Sequence, residues 1–427
     1  MIHISKPYIE ERDGKTFLIS NIKNELENKD INVFFAVEPE FANYLCYEQA
    51  DAFVISMLLR AVVTGQDIEV DAPISEKLLH NLRYGVIHAL TTSLKQNKNI
   101  GYNLEILNRY KNNRGNKSIQ VISKKGVVSQ NYNGSEVGTG CSLGVDSFSI
   151  IKKYLLERKK ERKKESLLSY KITHFACFNV GALGMYNTES TRESFYREVN
   201  RIKQFASKFN IPVVSIDTNL HEFYPEYNFN WSHSYLNMAC VLSLQKLWGK
   251  YIYASGYSLN NFEFNISDSA KYEPFLLPNL STESTELISG DMELSRADKV
   301  RYIMNDAIVK DNLNVCLKEQ RINSESGIDN YNNQFINCGK CEKCLRTILQ
   351  LEIYGKLEEY KDIIDLSEWQ HLKPYYLGKV IACRKENMMY DDILNTITSE
   401  YHIPLFSKIY AKIYKPYQII KKVLKRK

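Results

Sequence analysis

Gly138-Thr-Gly-Cys-Ser-Leu-Gly-Val-Asp-Ser147 lies between a strand candidate and a helix candidate, and its reading decides the fold. Glycines and hydroxyls at a strand-to-helix turn point backbone N–H groups at an anion, and the helix N-terminus adds partial positive charge. Three readings compete. Gly138-x-Gly140-x-x-x-Gly144 nearly fits a dinucleotide fingerprint. Against it, the preceding strand would be Asn133-Gly-Ser-Glu-Val137, too polar for a buried first strand, and the next strand ends in Cys177-Phe-Asn-Val-Gly-Ala182, with no acid for a ribose. A Walker A loop fails because no Lys follows Gly144. An ordinary strand-to-helix turn, N-capped by Ser142 or Asp146, is the third reading.

Outward from the loop, periodicity predicts a helix over 146–158 and a strand over 170–178. An amphipathic helix follows over 193–209, then a short strand over 212–216. A helix apolar almost all round is predicted over 234–248, then a strand over 251–254. Strands alternating with helices imply a parallel sheet with right-handed crossovers. Upstream, strands over 31–37, 68–70 and 119–122 and helices over 50–63 and 74–94 read as a separate α+β unit, with a turn-rich boundary at 131–135. The mixed-sign run 157–165 reads as a solvated helix face.

Ser142-Leu-Gly-Val-Asp-Ser147 resembles the Ser-Gly-Gly-x-Asp-Ser loop of the PP-loop ATP pyrophosphatases. That resemblance implies that the loop holds the pyrophosphate portion of ATP while AMP passes to an oxygen of the substrate. Ser142 and Ser147 then donate to phosphate oxygens, Gly144 lets the backbone approach, and Asp146 holds Mg²⁺. Leu143 stands where the family has glycine. If that position needs positive φ, Leu costs about 1 kcal/mol there.

Nine cysteines are present, and four fall between 316 and 344. Cys338-Gly-Lys-Cys341-Glu-Lys-Cys344 contains two overlapping Cys-x₂-Cys steps, which place three thiolates around one ion; Cys316 completes a tetrahedral set. Closed Cys₄ sites of this kind bind Zn²⁺. A [4Fe–4S] cluster is the rival, but Ile348 occupies the place of a ferredoxin's fourth cysteine. The PP-loop motif followed by this cluster resembles the 7-cyano-7-deazaguanine synthase group. In that family a carboxylate is adenylated by ATP, converted by ammonia to an amide and taken on to a nitrile, and the zinc is structural. The resemblance covers residues 136–350. The 21-residue spacer between Cys316 and Cys338, Leu143, and the flanks 1–130 and 355–427 depart from it, which points to a divergent paralogue with another substrate.

The expected fold is therefore α/β: a parallel-sheet PP-loop (adenine nucleotide alpha hydrolase-like) domain over 131–310, preceded by an α+β domain over 1–130. A Cys₄ zinc region over 311–355 and a helical extension over 356–427 follow. The expected activity is ATP-dependent, AMP-forming ligation at a small-molecule carboxylate, with Asp146, Ser147 and Lys299 in catalysis. Ser142, Gly144, Asp146, Ser147, Phe178, Asn179, Gly256 and Arg296 are the expected ATP contacts. Cys316, Cys338, Cys341 and Cys344 are the expected metal ligands, and ATP, Mg²⁺ and Zn²⁺ the cofactors. The alternatives are tRNA thiolation, which needs a redox-active Cys141 or Cys177, and a degenerate nucleotide-binding or membrane-surface scaffold. His233, at a helix start, reads as catalytic or structural. Ser281 to Thr285, with Arg296 and Lys299, resembles the family segment that brings basic groups to phosphate.

The chain has 427 residues, 44% apolar and 25% charged, with a net charge of +6. Residues 401–427 hold eight Lys/Arg and no acid, leaving 48 basic against 50 acidic residues elsewhere, a balance of −2. Any anionic membrane surface or nucleic acid is thus a partner for the tail or a local patch. Pro416 is expected to interrupt a single tail helix. No segment reads as a secretory signal or membrane span, which predicts a cytoplasmic protein. Self-association is left open.

Overall fold

The computed structural model describes residues 1–96, 118–157, 168–183, 189–224, 229–316 and 335–424. Most of the charged run 157–165, the spacer residues 317–334 and the final basic residues 425–427 lie outside the described residues. Contacts divide the chain into unit 1, Met1–Ser142 with Lys153–Met292, and unit 2, Leu143–Lys152 with Glu293–Lys427.

Unit 1 is built on an eleven-stranded mixed sheet. Its strands, with a separate two-stranded pair (β6 and β8), are β1 (Ile2–Ile4), β2 (Tyr8–Arg12), β3 (Lys15–Asn24), β4 (Lys29–Val37), β5 (Ile68–Val70), β6 (Ile74–Ser75), β7 (Val121–Ser123), β8 (Val127–Val128), β9 (Glu136–Gly140), β10 (His174–Asn179), β11 (Val213–Thr218), β12 (Trp248–Ala254) and β13 (Glu286–Gly290). The order is β13-β12-β9-β10-β11-β4-β3-β1-β5-β7, with β2 on β3. From β13 to β11 all pairs are parallel. The parallel expectation fails beyond β11, because β4 joins it antiparallel at Asp217–Ala36 and Thr218–Phe35. The sheet therefore crosses the boundary expected near residue 130. The β2–β3 hairpin is closed by Asp13-Gly14, both at positive φ, a turn whose twist suits paired strands.

The helix Asp51–Thr64 is buried at every position, and Phe229–Ser243 packs against it. Arg60, inside the first of these, is neutralised by Glu27. Two predicted helices are shifted. The first begins at Glu76, because Ile74 and Ser75 pair with β8 and the Ser75 hydroxyl accepts from Leu78 N. The second ends at Ser243, and Trp248 opens β12 instead. The strand before the loop is Glu136–Gly140. Its polarity is not a bar to the interior: a Cβ at Gly138 would lie 2.7 Å from the Tyr251 ring and 2.8 Å from Trp248, so glycine there makes room for two large buried rings.

Unit 2 is helical among its described residues: Val145–Ile151, Arg296–Ile303, Ala307–Asn312, Glu342–Ile353, Trp369–Ala382, Met388–Asn395 and Leu405–Leu424. Ser295 and Asp298 form a reciprocal capping box that fixes the start of Arg296–Ile303. That helix packs against Val145–Ile151 and against Glu342–Ile353. Pro416 does not interrupt the last helix, contrary to expectation. It is exposed, so water can solvate the carbonyl that loses its partner. No helix among the described residues is long and apolar enough to cross a membrane.

Candidate functional site

In unit 1, β9 is central. The chain moves to one side through β10 and β11, then returns to the other side through β12 and β13. That reversal makes the carboxyl ends of β9 and β12 a topological switch point, where open α/β sheets bind ligands. The candidate loop leaves β9 there, after Cys141 N donates to Ala176 O at 3.0 Å.

The unit 1 site residues divide on inspection. Phe178 is partly buried and stacks on Tyr251 at 6.0 Å between centroids. Asn179, at the end of β10, is buried and donates from Nδ2 to Asp217 Oδ1 at 2.8 Å. Gly256 follows β12, and a Cβ there would make only ordinary contact with Ala270. His233 stacks on Phe229, and its Nδ1 lies 3.1 Å from the Tyr253 hydroxyl. Burial pushes its imidazole down to about 4, so it is neutral near pH 7. Ser281–Thr285 is occupied structurally: Thr282 donates to Gln245 at 2.6 Å, and Glu283 accepts from Lys77 N at 2.8 Å.

In unit 2, Leu143 has φ +56° and is buried, so it holds the left-handed conformation that glycine adopts without cost. Gly144 has φ −81° and extended ψ and is the N-cap of Val145–Ile151, so the positive φ falls one residue earlier than the nearer glycine. Ser147 is buried, and Ser142, the preceding residue of unit 1, is exposed. Asp146 accepts from Arg296 Nη1, and Lys299 Nζ lies 3.6 Å from its other oxygen. Lys299 is 1% exposed. Burial opposes ionisation of Asp146, but Arg296, Lys299 and Arg346 outweigh it and hold the carboxyl below the usual carboxylate range. Lys343 and Arg346 are within electrostatic reach of both Asp146 and Arg296. Four cations thus surround Asp146, with Glu342 also acting on Arg346. The Nε atoms of Arg296 and Arg346 are buried with no hydrogen-bond partner among the described residues. Asp146 is a counter-ion to these basic groups, and its Oδ1, 3.6 Å from Lys299 Nζ, has no hydrogen-bond partner among the described residues.

The sulfur atoms of Cys316, Cys338, Cys341 and Cys344 all lie within 4.8 Å of one another. A tetrahedron with Zn–S of about 2.3 Å requires S···S of about 3.8 Å, so the set can hold a metal with little adjustment. Cys338, Cys341 and Cys344 are buried. Hydrogen bonding among the thiols pushes Cys344 and Cys316 up and Cys338 down. Gly339 makes the knuckle: its φ is +66°, and a Cβ would lie 1.8 Å from Asp365 O. Cys341 caps Glu342–Ile353. Glu342, next in sequence, accepts from the Tyr376 and Tyr390 hydroxyls and from Lys379, tying three helices together.

Lys343 and Arg346 are absent from the sequence-derived site. The signal was present: they lie three apart on the helix that the metal ligands begin, and so share a face. Searches against protein-family models, curated proteins and solved structures return no match for this chain.

Proposed function

We propose that the protein is an ATP-dependent, AMP-forming ligase of the PP-loop type, resembling the 7-cyano-7-deazaguanine synthases and acting on a small-molecule carboxylate. The observation that carries the reading is the cation cluster of Arg296, Lys299, Lys343 and Arg346 around Asp146, directly after a loop whose Leu143 keeps a glycine-like backbone. Further support comes from the strand order of unit 1, in which this loop follows the central strand. The basic groups of the proposal, Arg296, Lys299, Lys343 and Arg346, all belong to unit 2.

Chemically, a substrate carboxylate oxygen attacks the α-phosphorus and the bond to pyrophosphate breaks, its electron pair leaving with pyrophosphate. Charge grows on that leaving group, and buried guanidinium and ammonium groups already in place stabilise it without reorganising. Ammonia then attacks the acyl carbon and AMP leaves with the carboxylate oxygen. Asp146 orients Arg296 and Lys299 and keeps two buried cations from repelling each other. Zn²⁺ on Cys316, Cys338, Cys341 and Cys344 supplies no chemistry in this scheme; it fixes the start of the helix that carries Lys343 and Arg346. Thiolation finds no support, because burial pushes the Cys177 thiol up and Cys141 is 2% exposed.

The test is to incubate the protein with Mg-ATP, ammonium and a panel of carboxylates and follow the nucleotide. AMP and pyrophosphate are expected, with Arg296→Ala lowering turnover by about 10²-fold or more. ADP and phosphate would contradict the proposal. ATP binding without turnover across a broad panel would favour the degenerate binding module.

A further inference from the structure

The helix Leu405–Leu424 has two unlike long faces. One packs on Trp369–Ala382 so closely that a Cβ at Gly378 would lie 2.8 Å from the Tyr410 ring and 2.9 Å from Ser407 O. Ser407 is fully buried there, and Tyr410 meets Tyr375 at 5.3 Å. The other face carries Leu405, Ile409, Ile413 and Tyr417 at helical spacing, all exposed, Leu405 at 71%; Phe406, also exposed, sits at its border and meets Tyr375 at 5.1 Å. Lys408 and Lys412, also exposed, run along one edge of this stripe, Lys415 beyond them pairs with Glu386, and residues 401–427 hold no acid.

We infer that this face is a docking surface for an anionic lipid bilayer, on which the helix lies parallel to the membrane. The inference is independent of the proposed activity. Its chemistry is specific. Large aliphatic and aromatic side chains between lysines match the acyl boundary on one side and phosphate headgroups on the other. Nucleic acid would use the lysines but leave Leu405, Ile409 and Ile413 in water, so lipid is the partner that satisfies both halves of the face. No helix among the described residues is long and apolar enough to cross a bilayer.

Flotation of the full-length protein tests this, with vesicles of phosphatidylcholine mixed with phosphatidylserine and with phosphatidylcholine alone. The protein should float with the mixed vesicles and weakly or not at all with the neutral ones. The double variant Ile409→Glu/Ile413→Glu should abolish flotation. Lys408→Ala and Lys412→Ala should each weaken it about fivefold. All four positions are exposed, so thermal unfolding of the variants should match the parent and exclude misfolding as the cause. Three results would overturn the inference. One is an Ile409→Glu/Ile413→Glu protein that floats like the parent. Another is binding to RNA or DNA with no vesicle binding. The third is a concentration-dependent dimer, without vesicle binding, that the double variant abolishes.

Discussion

The cysteine knuckle and the Asp146 cluster sit in the same helical unit and are assembled in opposite ways. The knuckle is local: three of its four ligands lie within seven residues, and a single glycine at positive φ shapes it. The Asp146 cluster draws on residues 146, 296, 299, 343 and 346, which no spacing rule connects. The knuckle should therefore depend on a metal and on few residues. The cluster should depend on the fold, and be hurt most by losing its one negative charge.

The largest expected effect is on the knuckle. Zinc bound by such sites is worth roughly 10 kcal/mol or more of folding free energy. Cys341→Ser should lose the metal, normally about one ion per chain, and expose residues 293–427 to limited proteolysis. Iron with visible absorbance, or a metal-free protein equally resistant, would break this half of the comparison. Gly339→Ala should act nearly as strongly, because the new Cβ meets the Asp365 carbonyl; elemental analysis should show weakened metal retention.

Next comes Asp146→Asn. It leaves Arg296 and Lys299 buried without their counter-charge, which typically costs about 3 kcal/mol; urea denaturation at pH 7 measures it. A loss well under 1 kcal/mol would mean that the cluster is more hydrated than its burial suggests. The pH dependence follows in sign from the depressed Asp146 value: its contribution is fully present above the ordinary carboxylate range and disappears as pH falls through the lower folded value.

Asp51 in unit 1 gives the opposite sign and a smaller effect. It is fully buried and accepts from Ser75 N, Gln49 and Gln245, yet burial pushes it up to about 6. The folded state therefore holds a proton that the unfolded state has released, and Asp51 loses stability as pH rises from about 4 to 6. His221 and His233, pushed down to about 4 by burial, act the other way and lose stability as pH falls below about 6.5. Asp51→Asn should make the decline in stability on acidification steeper. An unchanged profile would contradict the assignment.

The smallest effect is expected at Leu143. Left-handed backbone costs a non-glycine residue about 1–2 kcal/mol, and burying its side chain returns about 1.5–3 kcal/mol. Leu143→Gly should change stability by no more than about 1 kcal/mol and should not weaken ATP binding, measured by calorimetry.

What the sequence reveals follows the same contrast. The four cysteines, the strands at 31–37 and 68–70, and the helix near 51–64 are visible because ligand spacing and apolar runs are local signals. The α/β class is visible too. The join between β4 and β11 is not, because antiparallel addition to a parallel sheet leaves no mark in either strand's composition. The Asp13-Gly14 hairpin is a local signal of the same kind as the cysteine spacing, because Asp-Gly suits a tight turn with positive φ. Lys343 and Arg346 escaped notice because a lysine and an arginine beside metal ligands look like a solvated surface until Arg296 and Asp146 are brought near them. Pro416 misleads because the penalty for proline in a helix is set by whether the orphaned carbonyl meets water.

One measurement bears most directly on the central claim that a carboxylate is joined to AMP. A carboxylate acceptor labelled with heavy oxygen is incubated with protein, Mg-ATP and ammonium, and the phosphorus-containing products are examined by mass spectrometry. Attack at the α-phosphorus followed by amidation leaves one labelled oxygen in AMP and none in pyrophosphate. Label recovered in inorganic phosphate, with ADP as the nucleotide product, would place the attack at the γ-phosphorus and contradict the account.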